Sequence, residues 1–150
     1  MKKTLTVLLA LAGATGVFAQ TTQTCAVTDE KTIASFFDRW NASLKTLDPS
    51  RVVANYTADA VLLATVQNQP RLTQENRLNY FTKFLKSTPE GTINSRTIKI
   101  GCNTASDVGT YTFKLKDGSL VAARYSYIYA YQNGEWLMSH HHSSAMPEKS

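Results

Sequence analysis

The chain lacks nearly every local pattern by which a sequence declares a reaction. Its 150 residues include seven glycines and two cysteines, with no phosphate-cradling glycine loop, no G-x-S-x-G elbow, no H-E-x-x-H and no C-x-x-C. Nothing in it is built to hold ATP. Sixteen Lys and Arg against eleven Asp and Glu leave a formal charge of +5, but the basic residues are scattered and form no cluster interleaved with aromatics. A nucleic-acid partner is thereby excluded. No apolar run reaches the roughly 20 residues that span a bilayer, and no repeat, linker or low-complexity stretch divides the chain.

What is there begins with export. Lys2 and Lys3 precede an apolar run from Leu5 to Ala12, and small residues end at Val17-Phe18-Ala19 before Gln20. A basic end, a short apolar stretch and a small-residue cut site are the parts of a cleavable secretory signal. We expect residues 1–19 to be removed after Ala19, leaving one periplasmic or secreted domain of residues 20–150 with no membrane segment. Loss of Lys2 and Lys3 lowers the charge to +3, fourteen basic side chains against eleven acidic. Cys25 and Cys102 make an even count in an oxidising compartment, which favours a disulfide stapling the N-terminal segment to the domain body over two buried thiols. Two glycosylation triplets, at Asn41 and Asn55, matter only in a host that glycosylates exported proteins.

Hydrophobic spacing predicts helices first and strands afterwards. Thr28 as cap, then Ile33, Phe36, Phe37, Trp40, Leu44 and Leu47 at steps of three and four, predict a helix to about Leu47. Asp48-Pro49 restarts the chain as a short helix with Val52, Val53 and Tyr56 inward. Val61-Leu62-Leu63 reads as a short strand, and Thr73 caps a third helix with Leu78, Phe81, Phe84 and Leu85 facing the core, ended by Pro89-Glu90-Gly91. Thereafter the period is two. Turns at 103–106, Asp117-Gly118 and Asn133-Gly134 delimit strands near 92–101, 107–116, 120–131 and 135–144. The fold class is α+β, an antiparallel meander with helices over one face.

The third of those strands carries Tyr125, Tyr127, Tyr129 and Tyr131 on one face and Ser126, Ile128 and Ala130 on the other. A strand uncharged on both sides is covered on both sides. With helices on one face, a second copy of the chain is the expected cover for the other, and the Tyr row is packing. Arg124 is the lone charge there. It is either paired with Asp59, Glu75 or Asp107, or free for a carboxylate. Arg96 shares the face of Ile98 and Ile100 and so points inward as well.

His140, His141 and His142 follow Trp136 and Met138 in the last strand. Strict alternation puts His140 and His142 on the face of Trp136 and Met138, about 7 Å apart, with His141 opposite. No third ligand stands at motif spacing, so no metal site is expected. The pair is left as hydrogen-bonded pocket histidines or as an acid-base group.

The segments F-F-D-R-W-N-A-S-L (Phe36 to Leu44), Y-T-A-D-A-V-L-L (Tyr56 to Leu63), S-R-T-I-K-I-G-C (Ser95 to Cys102) and W-L-M-S-H-H-H-S-S-A-M-P-E (Trp136 to Glu148) resemble the calcium/calmodulin-dependent protein kinase II association domain family. The likeness is to its exported bacterial members, within the nuclear transport factor 2-like superfamily, and covers the whole mature chain. It implies a cone: a strongly curved sheet wrapped around a long N-terminal helix, a nuclear transport factor 2-like or cystatin-like roll with a pocket at its open end. It also implies assembly through sheet faces as a homodimer or ring of dimers, no kinase activity, no cofactor and a pocket for small carboxylates. His140 and His142 match the family's H-x-H. Ser143 stands where the kinase hubs have arginine, and Tyr127 where they have their strand arginine.

The expectation is therefore an exported homo-oligomeric domain whose pocket, lined by Tyr56, Arg96, Arg124, His140 and His142, binds a small anion. The alternatives are a pocket enzyme of isomerase, dehydratase or hydrolase type using His140 or His142 with Asp59 or Tyr56, and a pure oligomerisation module.

Overall fold

The computed structural model describes residues 24–148; the expected signal segment lies outside them. Helix α1 spans Glu30–Leu44 and buries Ile33, Phe36, Phe37, Trp40 and Leu44. Its cap is Asp29, not Thr28, and the Asp29 carboxylate accepts from the Thr32 backbone N–H. Hydrogen bonding from the Thr32 side chain, and then from its backbone N–H, holds the carboxyl below its usual range. α2 (Pro49–Val53) starts at the Asp48 cap, and α3 (Gln74–Phe84) at Thr73. A single 3₁₀ turn, Leu85–Ser87, extends α3, and the next strand already begins at Glu90.

Five strands form one open, curved sheet: β1 (Tyr56–Leu63), β2 (Glu90–Gly101), β3 (Thr104–Lys114), β4 (Leu120–Gln132) and β5 (Glu135–Ala145), in the order β1-β5-β4-β3-β2. β2 to β5 are the expected antiparallel meander. β1, whose partner the sequence left open, joins the far edge parallel to β5. Asn133 and Gly134 both take positive φ, 54° and 87°, as a two-residue hairpin turn requires. β3 opens three residues earlier than its sequence pattern suggests, since Asn103 turns the chain at φ 58°. At Gly109 a Cβ would lie 1.9 Å from the Ser95 carbonyl oxygen, so only glycine lets β2 and β3 close there.

α1 lies against the concave face. Phe36 meets Tyr129 edge-on at 5.2 Å between ring centroids, and Trp40 meets Tyr127 at 6.2 Å. The Tyr row is thus core, as expected, through Tyr125, Tyr127 and Tyr129, all buried, while Tyr131 at its end is exposed. Cys25 and Cys102 are disulfide-bonded, with Cα atoms 4.8 Å apart. Beside them Asn103 accepts from the Ala26 N–H and donates to the Thr24 carbonyl, so the N-terminal segment is tied to the β2–β3 turn by three bonds. Both triplet asparagines are occupied: Asn41 brackets the backbone of Gly91, and the buried Asn55 amide donates to carbonyls of α2.

Candidate functional site

Two irregularities decide which side chains face inward. In β5, His140 pairs with Ile128 but Met138 with Tyr129, so one extra residue, Ser139, is inserted as a bulge. Side-chain parity reverses across it. Trp136 and Met138 point inward before the bulge, and His141 and Ser143 after it, all buried. His140 and His142 stand exposed on the outer face, the reverse of what unbroken alternation predicts.

The second irregularity lies in β1, where pairing with β5 jumps from Tyr56↔Met138 to Val61↔His140. The carbonyls left without strand partners are taken by one side chain. Arg77 of α3, 1% exposed, donates to the carbonyls of Thr57, Ala58 and Ala60 at 3.1, 2.8 and 2.5 Å. Burial, chiefly, lowers its pKa, yet an arginine so far above neutrality keeps its charge. It borders a 260 Å³ recess with Tyr56 and Gln74.

A larger cavity of about 440 Å³ opens between α3, the loop after β1 and the concave faces of β3, β4 and β5. Aromatic rings from α1, α3 and β3, Trp40 among them, form part of its wall. Among the described residues its only charged lining side chains are Arg71 and Lys83, and no carboxylate borders it. The Arg71 guanidinium is steadied by the Gln67 side-chain oxygen at 3.0 Å. At the inner end Tyr111 donates to the Ser143 hydroxyl at 2.6 Å, and Ser143 also bonds Thr65.

His141 borders the same cavity. The Trp40 indole N–H donates to the Tyr56 hydroxyl at 3.0 Å, which leaves that hydroxyl's proton for His141 Nδ1 at 2.7 Å. An Nδ1 that accepts fixes the neutral tautomer, with the proton on Nε2. Burial, aided by the neighbouring His142, pushes the His141 pKa down to about 3, so the ring is uncharged at neutral pH. It is a hydrogen-bond donor there, not a base.

None of the five residues expected in the pocket lines this cavity. Tyr56 lies behind His141 and reaches only the smaller recess. Arg96 does turn inward, but Asp107 claims it: Nη2 and Nε lie 3.0 and 3.2 Å from the carboxylate, which also accepts from Tyr125 at 2.8 Å. Burial of Arg96 opposes its charge and Asp107 restores it, for a net rise in pKa. The pairing weighed for Arg124 with Asp107 is thus made by Arg96. Arg124 itself is exposed on the outer face, opposite Thr110 and Ser144. Asp59 is exposed as well, on the bulged stretch of β1. Sequence reading missed His141, Ser143, Arg71 and Lys83. The histidine run was visible, but a bulge has no pattern of its own, and Arg71 and Lys83 sit in a loop and on a polar helix face.

Open curved sheets around an N-terminal helix of this kind recur among solved structures. A nuclear transport factor 2-like protein of unknown function from Pseudomonas putida KT2440 is 18% identical, with a TM-score of 0.70 over 79% of this chain and 87% of its own. An uncharacterised protein with a cystatin-like fold from Caulobacter vibrioides is 17% identical, with a TM-score of 0.66 over 77% of this chain and 88% of its own. At those identities the fold alone is shared: this is a nuclear transport factor 2-like domain. Residues 29–147 match the calcium/calmodulin dependent protein kinase II association domain family, and the chain belongs to it. A putative association domain of that family from Xanthomonas campestris is 42% identical, with a TM-score of 0.78 over 88% of this chain and all of its own. No curated protein matches.

Proposed function

We propose that the chain is exported as residues 20–150 and works as a homo-oligomeric binding domain for a small anionic molecule, without kinase activity. The observation that carries this is the 440 Å³ cavity whose only charged lining residues, among the described residues, are Arg71 and Lys83. A concave, mostly apolar site with few polar groups is the ordinary form of a small-molecule pocket, and two unopposed cations select a negative ligand. The pocket residues differ from those expected, but the class of ligand does not. A binder is favoured over an enzyme because His140, His142 and Asp59 all face solvent away from the cavity and His141 is held neutral. The disulfide fits an oxidising compartment.

Assembly through the outer sheet face is supported by its composition. Val108, Ser126, Ile128, Ala130 and Leu137 form an uncharged outward stretch on β3 to β5, on the face that also carries Arg124, His140 and His142. A second copy is the cover that fits such a face, in keeping with the association-domain family.

A thermal-shift screen of small carboxylates on residues 20–150 tests the binding claim, since a ligand of the folded state raises the melting temperature. At least one carboxylate is expected to do so, and the paired change Arg71→Gln, Lys83→Gln to abolish the shift. No shift with any compound removes the claim. A monomeric mass in light scattering at micromolar concentration removes the assembly.

A further inference from the structure

Among the described residues the cavity's charged lining side chains are Arg71 and Lys83, and the rest of its lining is neutral. Trp40, Tyr80, Phe81, Phe84, Tyr111 and Phe113 supply six aromatic rings, several in edge-on contact: Trp40 with Phe113 at 6.2 Å and Phe84 with Phe113 at 5.6 Å between centroids. Its inner polar groups belong to His141, Ser143 and Tyr111. Two of them are already engaged, since Tyr111 donates to Ser143 and Ser143 also bonds Thr65. His141 is different. Its Nδ1 is held by Tyr56, and its Nε2 is buried without a partner. A buried donor left unpaired is costly, and an acceptor brought to it relieves that cost.

A carboxylate driven to this inner end would lose its hydration and meet no cation. The same group beside Arg71 and Lys83 keeps both partial hydration and opposite charge. An aromatic body suits the interior better than an alkyl chain, because rings add edge-to-face attraction to the area they bury.

We propose that the ligand is a planar aromatic acid that enters ring first. The ring packs among the six aromatics, an uncharged acceptor at the far end of the ring takes the His141 Nε2–H bond, and the carboxylate stays with Arg71 and Lys83. This rests on the anion-binding reading above and names the ligand class for that same cavity.

Calorimetric titration of residues 20–150 with 4-acetylbenzoate, its methyl ester, benzoate, cyclohexanecarboxylate and butyrate tests it. Benzoate is expected to bind tighter than cyclohexanecarboxylate or butyrate. 4-Acetylbenzoate gains a further 3- to 10-fold, roughly the worth of one hydrogen bond, and the methyl ester is much weaker. His141→Phe is expected to abolish the preference for 4-acetylbenzoate over benzoate. If butyrate binds as tightly as the aromatic acids, or 4-acetylbenzoate no better than benzoate, the inference falls and the anion-binding reading stands. If no carboxylate of any shape binds, both fall. The wild-type series decides these outcomes even where His141→Phe does not fold.

Discussion

The Tyr56 hydroxyl donates to His141 Nδ1 across 2.7 Å of buried space, with Trp40 donating to the same hydroxyl from behind at 3.0 Å. Three elements, α1, β1 and β5, are joined by those two bonds. Tyr56→Phe is expected to leave both the indole N–H and the imidazole nitrogen buried and unpaired, at about 2–4 kcal/mol. Urea denaturation measures it. A loss below about 0.5 kcal/mol would mean that neither group depends on the hydroxyl.

His141 also makes stability depend on pH. Its folded pKa, about 3, lies below the ordinary 6.5, so between those values the unfolded chain binds the extra proton and the folded chain does not. Stability from this residue is complete above pH 6.5 and lost as pH falls, by about 1 kcal/mol per pH unit. Urea titrations at pH 7, 6 and 5 are expected to show a shallower acid slope for His141→Phe than for wild type. Equal slopes would contradict the buried neutral ring.

The ion pair of Arg96 and Asp107 is lopsided. The Asp107 side chain is fully buried, whereas Arg96 is about a quarter exposed. Arg96→Ala strands an anion in the core and is expected to cost about 3–5 kcal/mol. Asp107→Ala leaves a cation that can swing to water and is expected to cost less. Both changes together cost less than the sum, as a thermal double-mutant cycle measures. The reverse ranking would place the buried charge elsewhere.

The Cys25–Cys102 disulfide closes a stretch 77 residues long. Its removal by Cys25→Ala with Cys102→Ala is expected to cost about 4 kcal/mol by loop-closure entropy. Asn103 holds the same segment by two hydrogen bonds, so the native fold is expected to survive. Mass spectrometry of unreduced protein checks the bond itself. Two free thiols in exported protein would remove it.

Much of the fold was legible because the signals that make it are local. The α1 stripe from Ile33 to Leu44, the caps Asp48 and Thr73 and the Asn133-Gly134 turn appear where spacing puts them, whereas Leu47 lies past the end of the helix and is exposed. The site was not legible in the same way. His140 and His142 were assigned inward by strict alternation, and one inserted residue, Ser139, reversed them. Arg77 carries no signal in the sequence, and its burial follows from the broken pairing of β1, which supplies it with three carbonyls.

The amino-acid sequence by itself determined the α+β class, the order of elements, the aromatic core and the two cysteines that bond. Each follows from periodicity, turn chemistry or the count of a residue type, which neighbours along the chain set between them. Only the tertiary structure decided that His141 rather than its neighbours faces the cavity, that Asp107 takes Arg96 and leaves Arg124 outside, and that Arg71 and Lys83 border the cavity. Those outcomes depend on strand register and on which charges meet across the sheet, and both are fixed by packing between residues far apart in the chain.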